Sequence, residues 1–136
     1  MTSYRLVVPD LKLPRLNIVL RWHFHQRKDE VDRVRRMVEI AGAGLGNVEP
    51  LSLAEVKIRA YGDYSRYDAD GVYFKDCIDS IVARPVRVYG RSVARRWGMV
   101  LDDSRKVIGK PDFDDVMADS YRVEIEVQSR NGAAHE

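Results

Sequence analysis

The sequence predicts an α+β domain: a small mixed or antiparallel sheet with two main helices packed on one face and acidic residues gathered at one sheet end. Three observations carry that prediction. Apolar and polar residues alternate over residues 53–60 and again over 121–128, the period of half-buried strands. Apolar residues recur at helical spacing over 29–41 and 71–83, the period of helices that bury one stripe. The 136 residues, 45% of them hydrophobic, suffice for one core, whereas two would each be weakly stabilised.

Taken in order, Tyr4 to Val8 is β-prone and ends at Pro9, with Pro14 opening an irregular segment. A period of two resumes over residues 17–24, where Ile18, Leu20, Trp22 and Phe24 fall on one face, and predicts a strand. Asp29 and Glu30 open a helix through Val31, Val34, Val38 and Ala41, and GAGLGN stops it. In the next strand Val56, Ile58 and Ala60 face inward. YGDYSRY reads as a loop with its tyrosines packed around it. Residues 71–83 form the second helix, with Phe74, Cys77, Ile78, Ile81 and Val82 as its stripe and Lys75, Asp76 and Asp79 on its polar side. Residues 84–98 read as a protruding strand or hairpin around Val86 and Val88, punctuated by Pro85, Gly90 and Gly98. Val123, Ile125 and Val127 mark the final strand. The reading is one domain over residues 1–128, with an arginine-rich insertion near 84–98 and a disordered tail at 129–136.

No apolar run approaches the ~20 residues of a membrane span, and MTSYRLVVPD lacks the layout of a signal peptide. The expectation is a soluble, cytoplasmic protein. The single cysteine, Cys77, excludes an internal disulfide and a Cys-only metal site, and reads as a small core residue. The net charge of +2 conceals segregation: residues 84–96 carry five arginines and no acid, and residues 112–119 four aspartates and no base. A basic arm beside an acidic pocket suits a polyanion that meets a metal centre.

Asp68 and Asp70, in extended chain, would point to one side roughly 6 to 7 Å apart, close enough to share a metal. An isolated D-x-D of this kind is more often a turn or N-cap, and Asp70-Gly71 fits that role. A calcium loop fails on spacing, since Arg66 and Cys77 would occupy positions that require acids. Asp102 and Asp103, after the apolar run Gly98-Met-Val-Leu, would alone also read as a turn. Their joint occurrence with Asp68, Asp70 and Lys75 favours phosphoryl-transfer chemistry, which needs carboxylates around a metal and a cation near the phosphate. His23 and His25 have no softer third ligand and read as polar strand residues.

This ordered set resembles the RusA family of Holliday junction resolvases, in which R-x-D-x-D-N is followed by K-x-x-x-D-A-L on a helix, then by a short loop and D-D-S or D-D-x. Here the text is SRYDADGVYFKDCIDSIV, then GMVLDDSRKVIGK, then the strand YRVEIEV, and the resemblance as a whole covers about residues 51–128. Only Pro14 and Asn17 echo the family further upstream. The resemblance implies a RusA-like fold with Asp68, Asp70 and Asp103 as metal ligands, Asp102 as the less certain member of its pair, and Lys75 as the lysine needed for cleavage. It implies Mg²⁺, with Mn²⁺ as the alternative ion, a branched four-way DNA substrate, a homodimer that makes paired nicks, and a phage or prophage setting.

The sequence departs from the family pattern in three places. Gly71 stands where the family has asparagine. One extra residue separates Asp70 from Lys75, which would turn the lysine by about 100° if it fell inside the helix. The connection over residues 82–98 is much longer than usual. As a nucleic-acid arm, that segment would use Arg84, Arg87, Arg91, Arg95 and Arg96 on phosphates and Tyr89 or Trp97 against a base; the plainer reading is a solvated loop with one buried aromatic. The N-terminal helix, with Arg27, Lys28, Arg33, Arg35 and Arg36, could extend that surface. The expected function is a Mg²⁺-dependent endonuclease resolving Holliday junctions or other branched DNA. The alternatives are a catalytically degenerate DNA- or protein-binding relative, and a metal nuclease for flaps or RNA.

Overall fold

The computed structural model describes residues 2–67 and 71–130. Asp68 and Asp70 lie outside the described residues, as does the end of the expected tail at 131–136. The first strand, β1 (Ser3–Pro9), delivers the buried Leu11 and Leu13 to a short helix, α1 (Leu16–Val19). The strand expected over 17–24 is therefore absent, and the reason is visible in its burial. Ile18, Leu20 and Phe24 are all exposed, so the alternation has no core to face. Val19 and Leu20 instead donate to the carbonyls of Arg15 and Leu16, closing helical turns.

The long helix α2 (Phe24–Ala43) starts five residues before the acidic pair expected to open it. His23 sits in extended backbone as its N-cap, and its N–H donates to Gln26 Oε1 at 3.0 Å. Val34 and Val38 are fully buried on its inner face, and the chain leaves through Gly44, as the glycine-rich stop predicts. β2 (Ala54–Gly62) follows, then α3 (Lys75–Ser80), much shorter than the helix expected over 71–83. Ile81 and Val82 keep the apolar spacing but leave the helix, because Val82 bridges to Val100.

Next come β3 (Pro85–Val88) and β4 (Arg91–Arg95), a separate two-stranded antiparallel ribbon whose turn at Tyr89 and Gly90 has φ of 51° and 78°. Successive positive φ values match the tight hairpin turn whose twist suits paired strands. A four-residue helix α4 (Arg105–Ile108), β5 (Asp112–Met117) and β6 (Arg122–Ser129) complete the chain. β5 was not expected. All six of its residues are exposed, so it carries no alternation to read.

The main sheet runs β1-β6-β2-β5, antiparallel except for the parallel β2–β5 edge, so it is mixed. In register, Leu6, Ile125 and Ile58 share one face with Val8, Val123 and Ala60, all essentially inaccessible to water. These residues form one core with Val34 and Val38 of α2 and Cys77 and Ile78 of α3, so both helices cover the same face. The other face is polar: Glu124 takes Arg5 and Arg122 as partners, and Arg59 reaches Asp112 at 2.8 Å. Arg59 thereby holds the Asp112 carboxyl below its usual range. Among the described residues, no helix is long and apolar enough to cross a membrane.

Candidate functional site

The site region begins where β2 ends. Asp63 Oδ1 accepts from the Ser65 N–H and hydroxyl, which pulls its carboxyl below the usual range and sets the first turn of the loop. Tyr64 is buried, accepts the Leu13 N–H at 3.2 Å, and has its phenol pushed up to about 12 by burial. Tyr67 donates to the Leu13 carbonyl at 2.7 Å, and Tyr64 packs edge-on against both Tyr67 and Tyr121. Tyr64 and Tyr67 thus pack around a loop as the sequence predicts, whereas Tyr61 and Gly62 belong to β2 and the Tyr61 ring lies under Arg122. On the far side of Asp68 and Asp70, Gly71 accepts from Leu16 at 3.1 Å and Tyr73 donates to Pro14 at 2.9 Å. Residues 67 and 71 are thus both held against the 13–16 segment.

α3 starts at Lys75 with Phe74 as its N-cap, so the extra residue between Asp70 and Lys75 falls before the helix rather than inside it. From Lys75 a chain of charges crosses to the second acidic pair. Lys75 Nζ lies 3.4 Å from Asp79 Oδ1. Arg84 Nη2 lies 3.8 Å from that same oxygen and 3.8 Å from Asp103 Oδ2. Lys75 and Asp103, from distant parts of the sequence, both border one cleft of about 470 Å³. Asp102 is turned aside. Its Oδ1 accepts the Asp103 N–H at 2.8 Å, and that bond, with help from Ser104, holds its carboxyl below the usual range. This is the turn role the dipeptide has when read alone.

Asp103 is held in place by two parallel bridges of Val100, to Leu51 and to Val82. The segment over residues 84–98 leaves this frame undisturbed, because Gly98 returns the chain directly against the backbone of Ala83, closer than any side chain would allow. The ribbon between them is exposed on both faces. Arg87, Arg91 and Arg96 are exposed on it and have no ion pair among the described residues. Arg95 instead donates to the Ala83 carbonyl, and Arg84 faces Asp79 and Asp103. Tyr89 is fully exposed at the tip. Trp97 packs on Gly42 of α2 at the ribbon's root, so it is not an aromatic available to a ligand. On α2, Arg33 is bound to Glu30 of the same helix and to the Lys12 carbonyl, and Arg27 to Tyr73, so these two cations are engaged within the fold.

Two features of this region escape sequence reasoning. Asp76, expected on the polar side of its helix, is only 3% exposed and faces α2. Burial, and then the charges of Glu30 and Asp79, push its carboxyl up to about 6, against smaller opposing effects of Arg27 and Lys75. Phe113 of β5 stacks on Phe74 across the cleft, and Arg105 and Lys110 border the same space. The basic spacing in SRKVIGK was the available signal for those two cations. The run of aspartates over 112–119 does not form the expected pocket: Asp112 and Asp114 share one face of the edge strand by register and Asp115 the other.

Among the described residues, no group of three His, Cys, Asp or Glu side chains could hold a metal ion. His23 and His25 fall on the start of a helix and form no such group. At the cleft Asp103 is a single hard oxygen donor, suited to Mg²⁺ only in company with further carboxylates such as Asp68 and Asp70. Lys75, Arg84, Arg105 and Lys110 make the surroundings of Asp103 cationic. No protein-family model matches the chain, and no curated protein matches it.

Proposed function

We propose that the protein is a divalent-metal-dependent endonuclease that resolves Holliday junctions or other branched DNA, a relative of the RusA family. The observation that supports this best is the charge chain Lys75–Asp79–Arg84–Asp103, whose two end residues border one cleft, since it joins the lysine and the second acidic pair of the family's pattern. Two of the departures also soften. Gly71 has φ of 67°, a left-handed conformation that glycine and asparagine both accept. The extra residue precedes α3 and leaves the helical phase of Lys75 intact.

In this reading Asp68, Asp70 and Asp103 would hold Mg²⁺ or Mn²⁺, while Asp102 keeps its turn role beside them. Such an ion supplies an activated water and neutralises charge on the phosphate. Lys75 stabilises the charge that develops on the phosphoryl oxygens. Arg87, Arg91 and Arg96 on the ribbon hold backbone phosphates away from the cut. Paired nicks in a pseudo-twofold junction call for two sites, hence a homodimer. The proposed setting is intracellular, with a phage or prophage origin.

The test is cleavage of a synthetic four-way junction in Mg²⁺ and in a chelator. Metal-dependent nicking lost in Lys75→Gln and Asp103→Asn, with junction binding kept, supports the reading; no cleavage with Mg²⁺ or Mn²⁺ sinks it. A second reading rests on the Arg84–Asp103 pair, since a carboxylate already facing a guanidinium is a weaker metal ligand. It is a relative that binds DNA or protein and cuts nothing. Metal titration separates the two, and competition with flap and RNA substrates fixes the nucleic acid.

A further inference from the structure

The far wall of the cleft holds an aromatic surface that the cleavage chemistry leaves unused. Phe113 lies on the edge strand opposite Ile58, so its ring projects on the core face of the sheet, yet it is 41% exposed. It stacks on Phe74 with centroids 4.9 Å apart and planes 2° from parallel. Phe74 immediately precedes Lys75, which ties the ring pair to the start of α3. Both phenylalanines border the cleft that Lys75, Asp103, Arg105 and Lys110 also border. Hydrophobic burial accounts for the contact with Phe74. It does not account for a flat ring left open to water among three cations.

We infer that Phe113 is a stacking platform for an unpaired base of a DNA strand, with Lys110 and Arg105 holding the phosphates that flank it. A ring face is sequence-tolerant, because every base presents a π surface, and cations beside it fit the adjoining backbone. Inside a regular duplex both faces of a base are covered by its neighbours. Only a base freed by a branch point, a gap or a single strand can reach Phe113, and the platform thereby supplies a preference for disrupted DNA. The inference deepens the nuclease reading and rests on it only in placing this cleft beside the cut; base stacking itself needs neither metal nor cleavage.

The test is run in EDTA, which separates stacking from cleavage. A single-stranded DNA oligonucleotide carrying 2-aminopurine and a blunt duplex of the same sequence are titrated with wild type, Phe113→Ala, Phe113→Leu and Phe113→Trp. Wild type should prefer the single strand and quench the probe. Phe113→Ala and Phe113→Leu should lose the quenching and bind the single strand about tenfold more weakly, a typical effect of losing one stacked base. Phe113→Trp should retain both, and duplex affinity should not change. Phe113→Leu keeps an apolar side chain against Phe74, so it decides the matter should the alanine variant fail to fold. Unaltered quenching and affinity in Phe113→Leu, or a wild-type preference for the duplex, overturns the platform. Failure of the nuclease reading looks different: no cleavage in Mg²⁺ while single-strand binding stays dependent on Phe113.

Discussion

Replacing Asp76 by asparagine should stabilise the protein at neutral pH and abolish a pH dependence that the wild type carries. Asp76 is 3% exposed between α3 and α2, with Glu30, Arg27 and Arg33 contributed by α2 and Lys75 and Asp79 beside it on α3. Its carboxyl is raised from 3.8 to about 6, first by desolvation. At ~1.4 kcal/mol per unit, a displacement of this size corresponds to ~3 kcal/mol of native-state destabilisation once the group is ionised. The sign follows from proton counting. Between the two pKa values the unfolded chain has released a proton that the native state still holds, so stability falls as pH rises from about 4 to about 6 and is level above. Asparagine keeps the shape without the charge. The assay is urea unfolding of both proteins at intervals from pH 4 to pH 8, taken as the difference in unfolding free energy so that the other carboxylates cancel. The difference should grow across the lower half of that range to between about 1 and 3 kcal/mol in favour of Asp76→Asn, and then stay flat. A difference independent of pH, or an asparagine variant less stable than wild type at pH 8, refutes the argument.

Three other perturbations test separate parts of the structure. Gly42→Ala places a Cβ inside the space of the Trp97 ring and should cost about 1 to 3 kcal/mol in denaturant unfolding, the usual range for overpacking. Gly71→Asn should be tolerated within about 1 kcal/mol, whereas Gly71→Val, forced to φ of 67°, should lower the thermal midpoint clearly more. Arg84→Gln should leave stability within about 1 kcal/mol, because its two ion pairs are half-exposed and 3.8 Å long. If Asp103 is a metal ligand, the same change should tighten metal binding by up to about tenfold, since a guanidinium near the ion opposes it; calorimetric titration with Mn²⁺ reads it, and weaker binding would count against Asp103 as a ligand.

What could be read from the sequence was whatever burial had written into it. β2 and β6 carry Val56, Ile58 and Ala60 and Val123, Ile125 and Val127 on one buried face, and that alternation is what the sequence displays. β5 has no buried face; its parallel pairing with β2 defines it, and a pairing partner leaves no local trace. Residues 17–24 show the converse, an alternation with nothing to pack against. The apolar stripe after Lys75 ran past the helix because Ile81, at its C-cap, and Val82, bridged to Val100, both stay buried. Residue type hid Asp76, since an aspartate on an amphipathic stretch reads as solvated unless the covering helix is known. At the site, Lys75 and Asp103 were legible in the sequence as candidates and both border one cleft, but Phe113 was not, because it comes from the strand that sequence could not see.

The long connection over residues 82–98 leaves the frame around Asp103 intact because of how its ends are anchored. A connection disturbs a frame when its ends must be brought together from a distance, and here Ala83 and Gly98 already touch. Met99 donates to the Ile81 carbonyl at 2.7 Å and Ala83 to that of Val100 at 2.9 Å, so the frame that positions Asp103 closes beneath the ribbon. Arg96 donates to the Arg84 carbonyl at 2.8 Å and shuts the ribbon at its own root. The entropy of ordering the added residues is therefore met within the ribbon, by its ladder and its turn, and not by the core. Its effect on the site is electrostatic instead. The root residue Arg84 is the guanidinium that links Asp79 to Asp103, so the segment that presents Arg87 and Arg91 to solvent also sets the charge beside Asp103.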